Sequence, residues 1–411
     1  MVITRKNSLS MNNNDCIDLL RKLVHAPSPS FNEEAAAAWI VWWFAQNNLP
    51  CSNLQGNIVA AAATPDPAKK TLALIAHLDT VAPAGGYTHD PYDPGTDPDV
   101  VRGLGSNDDG GSVVAMLAVL RHFYEKPLPV NLLLLLVREE ECSGPDGIRW
   151  LFGPNGPFAQ PVGAPGWLPA PDWAIVGEPT GLRAATSERG LLVLDGEAIG
   201  ESGHAARFDG VNALYKAIDD INTLRNHRFS RISPEMGEVR LNVTQILSGI
   251  AHNVIPDRCR FVVDIRPNEL YTPKEILDEL QALCQSRLSA RNLLHRASAT
   301  ALDSPLRQAT AALGLETFSS PTSSDWMQLP CDAIKLGPGD SARSHRADEF
   351  ILVSEIEQAI DYYIHFIHCF NDISSSTVAP RRDPSQMNNW GSAPNPAATA
   401  CNCTGSRNGL R

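Results

Sequence analysis

The first part of the chain alternates segments of helical and of strand-like hydrophobic pattern. Residues 130–137, VNLLLLLV, form a continuous apolar run, which is typical of a strand that is covered on both faces. The alternation predicts a doubly wound α/β arrangement with a mostly parallel sheet. Helices are predicted at 15–24, 35–45 and 111–124, and further strands at 57–62, at 173–176 and in the residues up to His77.

The pattern changes near residue 186. The segments that follow predict strands and helices in the order β-α-β-β-α-β, which is the order of a ferredoxin-like unit. They lie at 190–200, 212–229, 239–249, 258–267, 273–288 and 295–302. Because the first type of pattern resumes near Ser304, we expect this unit to be inserted in the α/β domain. The predicted organisation is a catalytic domain at 15–184 and 301–372, a lid at 185–300, and a disordered tail at 373–411, which is rich in Ser, Asn and Pro.

The composition limits the possible classes of function. The chain has 411 residues, of which 43% are hydrophobic and 19% charged, and its net charge of -12 argues against a nucleic-acid or anionic-membrane surface. Nine scattered cysteines without a C-x-x-C pair indicate neither a structural zinc knuckle nor a disulfide framework. The apolar segment 35–45 is too short to cross a bilayer, and no signal peptide is apparent, so we expect a cytoplasmic protein.

Two polar side chains interrupt the end of a predicted strand in LIAHLDTV. His77 and Asp79 are two positions apart and therefore project to the same face. The carboxyl ends of strands in open α/β sheets are where ligands bind. Taken alone, this pair favours a core histidine with a carboxylate partner.

Four further clusters carry carboxylate or imidazole groups where a buried element ends. Each has a plain structural explanation by itself, such as a helix cap or a solvated acidic face. A dinucleotide loop at GLGSND is rejected, because Asp108 stands where the third glycine would be and would repel a phosphate. The clusters are GLGSNDDGGS with Asp108, VREEECSG with Glu139, Glu140 and Glu141, IVGEPT with Glu178, and SARSHRADEF with His345.

Together the clusters predict a metal centre. Two histidines and three carboxylates form a ligand set that suits two ions of the Zn²⁺ class. Two neighbouring ions need a bridging carboxylate and separate terminal ligands. A further carboxylate that binds no metal could serve as general base toward water.

Seven motifs in order resemble the dinuclear zinc acylamino-acid hydrolases, a family that includes acetylornithine deacetylase, succinyl-diaminopimelate desuccinylase, aminoacylase and a glutamate-releasing carboxypeptidase. The resemblance spans residues 15–370 and is closest to the acetylornithine deacetylase branch. It implies deacylation of N-acetylornithine, or of acetyl- or succinyl-citrulline, in arginine biosynthesis. Desuccinylation of succinyl-diaminopimelate and deacylation of acyl-lysine are the alternatives, and a non-catalytic binding protein is a remote one. The motifs are AHLDTV, SNDDGG, EEECS, VGEPT, SGHAAR, HNVIPDRCRFVVDIRP and SHRADEF.

The resemblance also implies a role for each site residue. His77 and Glu178 would hold one metal ion, Glu141 and His345 the other, and Asp108 would bridge them. The ions are expected to be zinc, with cobalt as a possible substitute. Asp79 would hydrogen-bond the ring of His77, and Glu140 would be the general base.

The lid would complete the site. His204 matches the residue that stabilises the tetrahedral oxyanion, usually across the interface of a homodimer formed by the lids. Asn253 and Arg266 match positions that grip the substrate carboxylate, a task for which a planar guanidinium is suited.

Two departures from the family pattern leave questions open. Many relatives carry Lys where this chain has Gly110, so the role of that lysine is absent or is supplied elsewhere. The run of three glutamates permits a second register, in which Glu139 is the base and Glu140 the ligand. A serine hydrolase built on Ser341 and His345 is disfavoured, because the chain has no G-x-S-x-G elbow.

Overall fold

The computed structural model of the protein describes residues 14–164, 166–207 and 209–376. Within these residues the α-helices are α1 Asn14–His25, α2 Glu34–Gln46, α3 Gly111–Phe123, α4 Ile148–Phe152, α5 Ala213–Asn226, α6 Pro273–Leu283, α7 Pro305–Ala312 and α8 Val353–Ser376. The strands are β1 Ser52–Leu54, β2 Asn57–Ala61, β3 Thr71–His77, β4 Val100–Arg102, β5 Asn131–Val137, β6 Trp173–Val176, β7 Ala184–Glu188, β8 Leu192–Ile199, β9 Gly203–His204, β10 Arg240–Ser248, β11 Val254–Ile255, β12 Arg258–Arg266, β13 Arg287–Ala290, β14 Ser298–Ala299, β15 Thr317–Ser320, β16 Asp332–Lys335 and β17 Phe350–Leu352.

The larger of the two main sheets, called the large sheet below, has the strand order β1-β2-β5-β3-β6-β16-β7-β14, with β15 paired to β7. Its centre, β5-β3-β6-β16, is parallel, whereas β1, β2 and β14 pair in antiparallel fashion. The predicted α/β class with a mostly parallel sheet is therefore confirmed.

Helices and turns cover both faces of the large sheet, which explains the unbroken apolar run of β5. Leu132, Leu134 and Leu136 pack on the side of α1, α2, α3, α7 and α8. Leu133 and Leu135 point to the opposite side, where they pack with α4 and with the turn at 325–328. All seven residues of β5 are buried, and each leucine contributes about 1.5–3 kcal/mol through burial.

The smaller main sheet, called the small sheet below, has the antiparallel order β10-β12-β8-β13. Its elements follow along the chain as β8-α5-β10-β12-α6-β13, and the strand order is that of a ferredoxin-like unit. Local sequence fixes both helix starts. The Asn212 side chain accepts hydrogen bonds from the first-turn amides of α5, and Thr272 forms a capping box with Glu275 at the start of α6.

The closing strand of the small sheet differs from the prediction. Helix α6 ends at Leu283 rather than at residue 288, and β13, Arg287–Ala290, closes the sheet. The segment 295–302 was the predicted closing strand, but Ser298 and Ala299 pair with β7 in the large sheet. The reason is a tertiary contact: the Asp220 carboxylate accepts hydrogen bonds from the amides of Gln285 and Ser286, and the chain leaves the helix there.

The elements of the small sheet lie within residues 192–290, inside the predicted lid at 185–300. The domain limits themselves stay a prediction. Helix α8 continues to Ser376, and the rest of the predicted tail, residues 377–411, lies outside the described residues. Among the described helices, none has both the length and the apolar character that crossing a membrane requires.

Candidate metal centre

The parallel strands at the centre of the large sheet bring the predicted ligands to one edge. His77 ends β3 opposite Val137 of β5, so the glutamate run that follows Val137 begins beside it. Ile75 pairs with Val176 of β6, and Glu178, two residues further on, lies at the level of His77. His345 lies in the loop that follows β16, the neighbour of β6 on its other side. The carboxyl edge of the sheet is thus lined with imidazole and carboxylate groups.

Asp108 lies between two histidines. Its Oδ1 is 3.1 Å from Nε2 of His77, and its Oδ2 is 3.8 Å from Nε2 of His345. The His345 Nε2 is also 2.9 Å from Oε1 of Glu141. One donor atom each of His77, Asp108 and Glu141 lies within 4.8 Å of the others. A carboxylate whose two oxygens face two different histidines has the arrangement of a bridging ligand.

Glu178 is half-buried and is not one of the three residues whose donor atoms lie within 4.8 Å of one another. Burial raises its pKa to about 7, although the nearby Lys335 ammonium acts in the opposite direction. The charge of Asp108 raises this pKa further, and the charge of His77 lowers it.

The ring of His77 is held so that Nε2 faces the site. Its Nδ1 lies 2.9 Å from the backbone carbonyl of Asp79 and 3.5 Å from the Asp79 carboxylate. The carbonyl is therefore the closer partner of the ring, and the Asp79 carboxylate, which is the predicted partner, lies beside it. A carbonyl at Nδ1 fixes the tautomer in which the lone pair of Nε2 is free for a metal ion.

The Asp79 carboxylate has another set of partners. It accepts hydrogen bonds from the backbone amides of Glu140 at 3.0 Å and Glu141 at 3.1 Å, and from the Ser30 hydroxyl at 2.6 Å. Asp79 therefore positions the loop that carries the predicted base and one predicted ligand.

The three consecutive glutamates point in different directions. Glu139, at φ 61°, lies in the left-handed region, and its carboxylate is buried away from the histidines. It is 3.2 Å from the Arg138 guanidinium and accepts a hydrogen bond from the Asp146 amide. Glu141 contacts His345, and the charge of Glu140 acts on His77. The contacts of Glu141 with His345 and of Glu139 with Arg138 favour Glu141 as the ligand, and Glu140 as the base stays a prediction.

The charge at the site suits divalent cations. Burial raises the pKa of Glu140 and of Asp325 well above the ordinary range, and the neighbouring carboxylates add to this effect. Oδ2 of Asp325 has no hydrogen-bond partner among the described residues. Burial lowers the pKa of His77, but its carboxylate partners outweigh burial and raise the pKa well above the ordinary value. Excess buried carboxyl groups around two imidazoles fit a pair of divalent ions, which would offset the negative charge.

The three predicted lid residues are not gathered at this edge. His204 and Val254 pair in the short ladder of β9 and β11, and the carbonyl of the adjacent Asn253 accepts a hydrogen bond from the Ala205 amide. The His204 ring is exposed, and its Nδ1 accepts from the Ala206 amide. Arg266, on the small sheet, forms a two-pronged ion pair with Asp264 at 2.9 and 3.1 Å.

Sequence reasoning missed a buried ion pair beneath the ligands. Lys335 ends β16, is 1% exposed, and its ammonium lies 3.3 Å from the fully buried Glu188 carboxylate. The sequence signal was a lysine that directly follows the apolar pair Ala333 and Ile334.

Gly110 stands where the family resemblance implies a lysine in many relatives. It has no room for a side chain, since a Cβ there would lie 2.4 Å from the carbonyl oxygen of Gly105.

Comparison with known proteins shows similarity to one family along most of the chain. The model of peptidase family M20/M25/M40 matches residues 73–368. Acetylornithine deacetylase of Shigella sonnei is 27% identical over 392 residues, which cover 86% of this chain and 97% of that protein.

Two solved structures share the fold. An M20 family metallo-carboxypeptidase of Sulfolobus solfataricus has a TM-score of 0.67 at 16% identity, over 87% of this chain and 99% of the other. A dinuclear metal-binding peptidase of Bacillus subtilis has a TM-score of 0.65 at 14% identity, over 88% of this chain and 99% of the other.

Proposed function

The chain belongs to peptidase family M20/M25/M40, and we propose that within this family it hydrolyses the amide bond of an N-acyl amino acid, with N-acetylornithine as the expected substrate. The observation that carries the hydrolase chemistry is the position of Asp108 between His77 and His345, together with Glu141 at 2.9 Å from His345. The choice of substrate rests on the acetylornithine deacetylases that align with most of the chain.

We assign the ligands in two groups that share Asp108. His77 and Glu178 hold one ion, and Glu141 and His345 hold the other. The separation of the two Asp108 oxygens toward different histidines supports this division. Zinc is the expected metal, since imidazole and carboxylate ligands suit it, and cobalt is a possible substitute.

When bound, two such ions would polarise the amide carbonyl of the substrate and lower the pKa of water at the site. Glu140 accepts the proton of the attacking water and delivers it to the nitrogen of the departing amine. Its surroundings suit this double role, because burial raises the pKa of Glu140 and so makes the carboxylate a stronger base than an exposed glutamate. Asp79 holds the Glu140 amide and so keeps the base in place.

Substrate recognition is assigned to the lid. A guanidinium forms two parallel hydrogen bonds to a carboxylate, so Arg266 suits the α-carboxylate of an amino acid, and Asn253 assists it. In the present arrangement Asp264 holds Arg266. Binding of substrate therefore requires Arg266 to exchange one carboxylate for another, which fits a lid that closes on its substrate.

His204 is assigned to the oxyanion of the tetrahedral intermediate, delivered from a second copy of the chain. The small sheet supports a homodimer, because β10 is an edge strand with exposed apolar side chains. Ile246 is 49% exposed, Leu247 77%, and Ile250, just beyond the strand, 93%.

The experiment that tests this function is an activity screen of zinc-loaded protein. The panel contains the N-acetyl and N-succinyl forms of ornithine, citrulline, diaminopimelate and lysine, with release of the free amine as the signal. The proposal expects N-acetylornithine to have the highest kcat/KM and a chelator to abolish turnover. Preference for a succinyl substrate would reassign the substrate, whereas no turnover of the whole panel by protein with two bound ions would refute the proposed reaction.

A further inference from the structure

A second buried carboxylate holds the loop of Asp108. Glu349 is 2% exposed, and its Oε1 accepts hydrogen bonds from the backbone amides of Asn107 at 2.9 Å and Asp108 at 3.0 Å. The backbone carbonyl of Glu349 accepts from the amide of Gly103, at the start of the same loop. The loop of Asp108 is therefore bound to a segment that lies some 240 positions away along the chain.

Asn107 ties the same loop to the segment that leads into His345. Its side-chain nitrogen donates to the Asp340 carbonyl at 3.2 Å and to the Ser344 hydroxyl at 3.3 Å. Its side-chain oxygen accepts from the Asp340 amide at 3.0 Å. Gly339, at φ 80°, permits this approach, because a Cβ there would lie 2.2 Å from the Asn107 oxygen.

These contacts join the two loops that carry Asp108 and His345. The distance between Oδ2 of Asp108 and Nε2 of His345 thus depends on these hydrogen bonds, most of them partly buried, as well as on the ligands themselves. The design parallels Asp79, whose carboxylate accepts from the amides of Glu140 and Glu141. In both cases one buried carboxylate fixes two consecutive amides of a loop that carries an acidic site residue.

We propose that Glu349 is a positioning residue of the metal centre, which holds Asp108 at the place where its two oxygens can bridge two ions. The inference rests on the proposed function, since it presumes that Asp108 is a metal ligand. Hydrogen bonds that orient a metal ligand without touching the ion typically contribute about 10–100-fold to metal affinity.

The same protein offers a matched control. Asp220 is 3% exposed and its carboxylate also accepts two consecutive backbone amides, those of Gln285 and Ser286. These contacts lie in the small sheet, away from the predicted ligands. Loss of either carboxylate should lower the free energy of unfolding by a similar amount, because each leaves two buried amides without an acceptor.

The test uses Co²⁺ alone as probe, added to metal-free full-length protein. Titration gives affinity and stoichiometry, and the visible absorption of bound Co²⁺ reports the ligand geometry. For Glu349→Ala we expect Co²⁺ affinity at one or both positions to fall about 10–100-fold, with a changed spectrum. Glu349→Gln should keep affinity and spectrum near those of the parent, because the amide oxygen still accepts from both backbone amides.

A second variant covers the case in which Glu349→Ala does not fold. Glu349→Asp keeps the charge but withdraws the oxygens by one methylene, so it should bind Co²⁺ more weakly than Glu349→Gln. Asp220→Ala should lower the midpoint of chemical denaturation and leave Co²⁺ affinity and spectrum unchanged.

The inference is overturned if Glu349→Ala, or Glu349→Asp in its place, binds two Co²⁺ ions with the affinity and spectrum of the parent. It is also overturned if Asp220→Ala loses Co²⁺ equally, since the cause would then be general loss of stability. A parent protein that binds fewer than two ions would refute the metal centre itself and the inference with it. Two ions without turnover of any substrate would refute only the proposed reaction.

Discussion

Glutamine in place of each of the three consecutive glutamates should produce three different defects. Glutamine preserves size and one acceptor oxygen, so each substitution removes mainly the negative charge. Glu139→Gln should lower stability and leave two ions bound, Glu140→Gln should lower turnover and leave two ions bound, and Glu141→Gln should lose one ion. Because the three residues are adjacent in the chain, a general effect on expression or folding would affect the three variants alike and would not produce three different defects.

The structure sets the size of each effect. Glu139 would lose its charged contact with Arg138, which keeps a second partner in Glu33 at 3.0 Å, so the loss is about 1–3 kcal/mol in the free energy of unfolding. Loss of a general base costs about 10²–10⁴-fold in kcat. This factor corresponds to about 3–5 kcal/mol in the activation free energy for Glu140→Gln. Glu141 is the nearest partner of His345, and its change should weaken the ion at that position.

Elemental analysis of the three purified variants gives the number of ions per chain. Chemical denaturation gives the free energy of unfolding, and steady-state kinetics give kcat. The reasoning is refuted if Glu140→Gln loses an ion while Glu139→Gln lowers turnover and Glu141→Gln keeps two ions. That result would transfer the ligand and base to Glu140 and Glu139, the other register. Glu316→Gln serves as the surface control, since its side chain is 69% exposed and, among the described residues, forms a salt bridge only with Arg183.

Three further predictions follow from other contacts. Metal uptake at pH 7 should release a proton from His345, because its hydrogen bond with Glu141 raises the pKa of the metal-free imidazole to about 9 and an imidazole that binds a metal ion must be neutral. Metal affinity should therefore rise with pH up to about 9. Calorimetry in buffers of different ionisation enthalpy that detects no proton release would contradict this prediction. Lys335→Met should lower the free energy of unfolding of the metal-free protein by about 3–5 kcal/mol, because it leaves the buried Glu188 carboxylate without its partner. The double variant Lys335→Met, Glu188→Leu should recover much of this free energy. Equal losses in the single and the double variant would rule out an uncompensated charge as the cause. Mixing His204→Ala with Glu140→Ala protein should restore up to half of the sites if His204 acts across a dimer, and no recovery despite demonstrated subunit exchange would exclude action in trans.

The fold was predictable where the hydrophobic pattern is long. Strand β5 is apolar at six of its seven positions because both faces are covered, and the bounds of α3 lie within a residue of the predicted helix. The closing strand of the small sheet was not predictable by the same means. β13 has four residues, and a tertiary hydrogen bond from the Ser286 amide to Asp220, 66 positions earlier in the chain, separates it from α6. Local propensity contains no signal for such a contact.

The site was predictable as a set of polar residues at strand ends, but its geometry was not. Strand pairing fixes His77 and Glu178 at one level, and sequence periodicity already implies this once the strands are known to be parallel neighbours. Glu139, Glu140 and Glu141 could not be told apart in this way, since they follow the strand in a loop. Their directions depend on a left-handed residue at position 139 and on two amides held by Asp79.

The contacts that fix the site come from residues that no spacing rule connects with the ligands. The Glu349 carboxylate reaches the amide of Asp108 across the ladder of β4 and β17, in which Arg102 pairs with Phe350. The position of Asp108 therefore depends on the pairing of β4 with β17, which forms only when two segments far apart in the chain come together. If Glu349 acts as proposed, the fold determines the spacing of the ligands before any ion binds. Metal affinity should then respond to a loss of this pairing even when every ligand is intact.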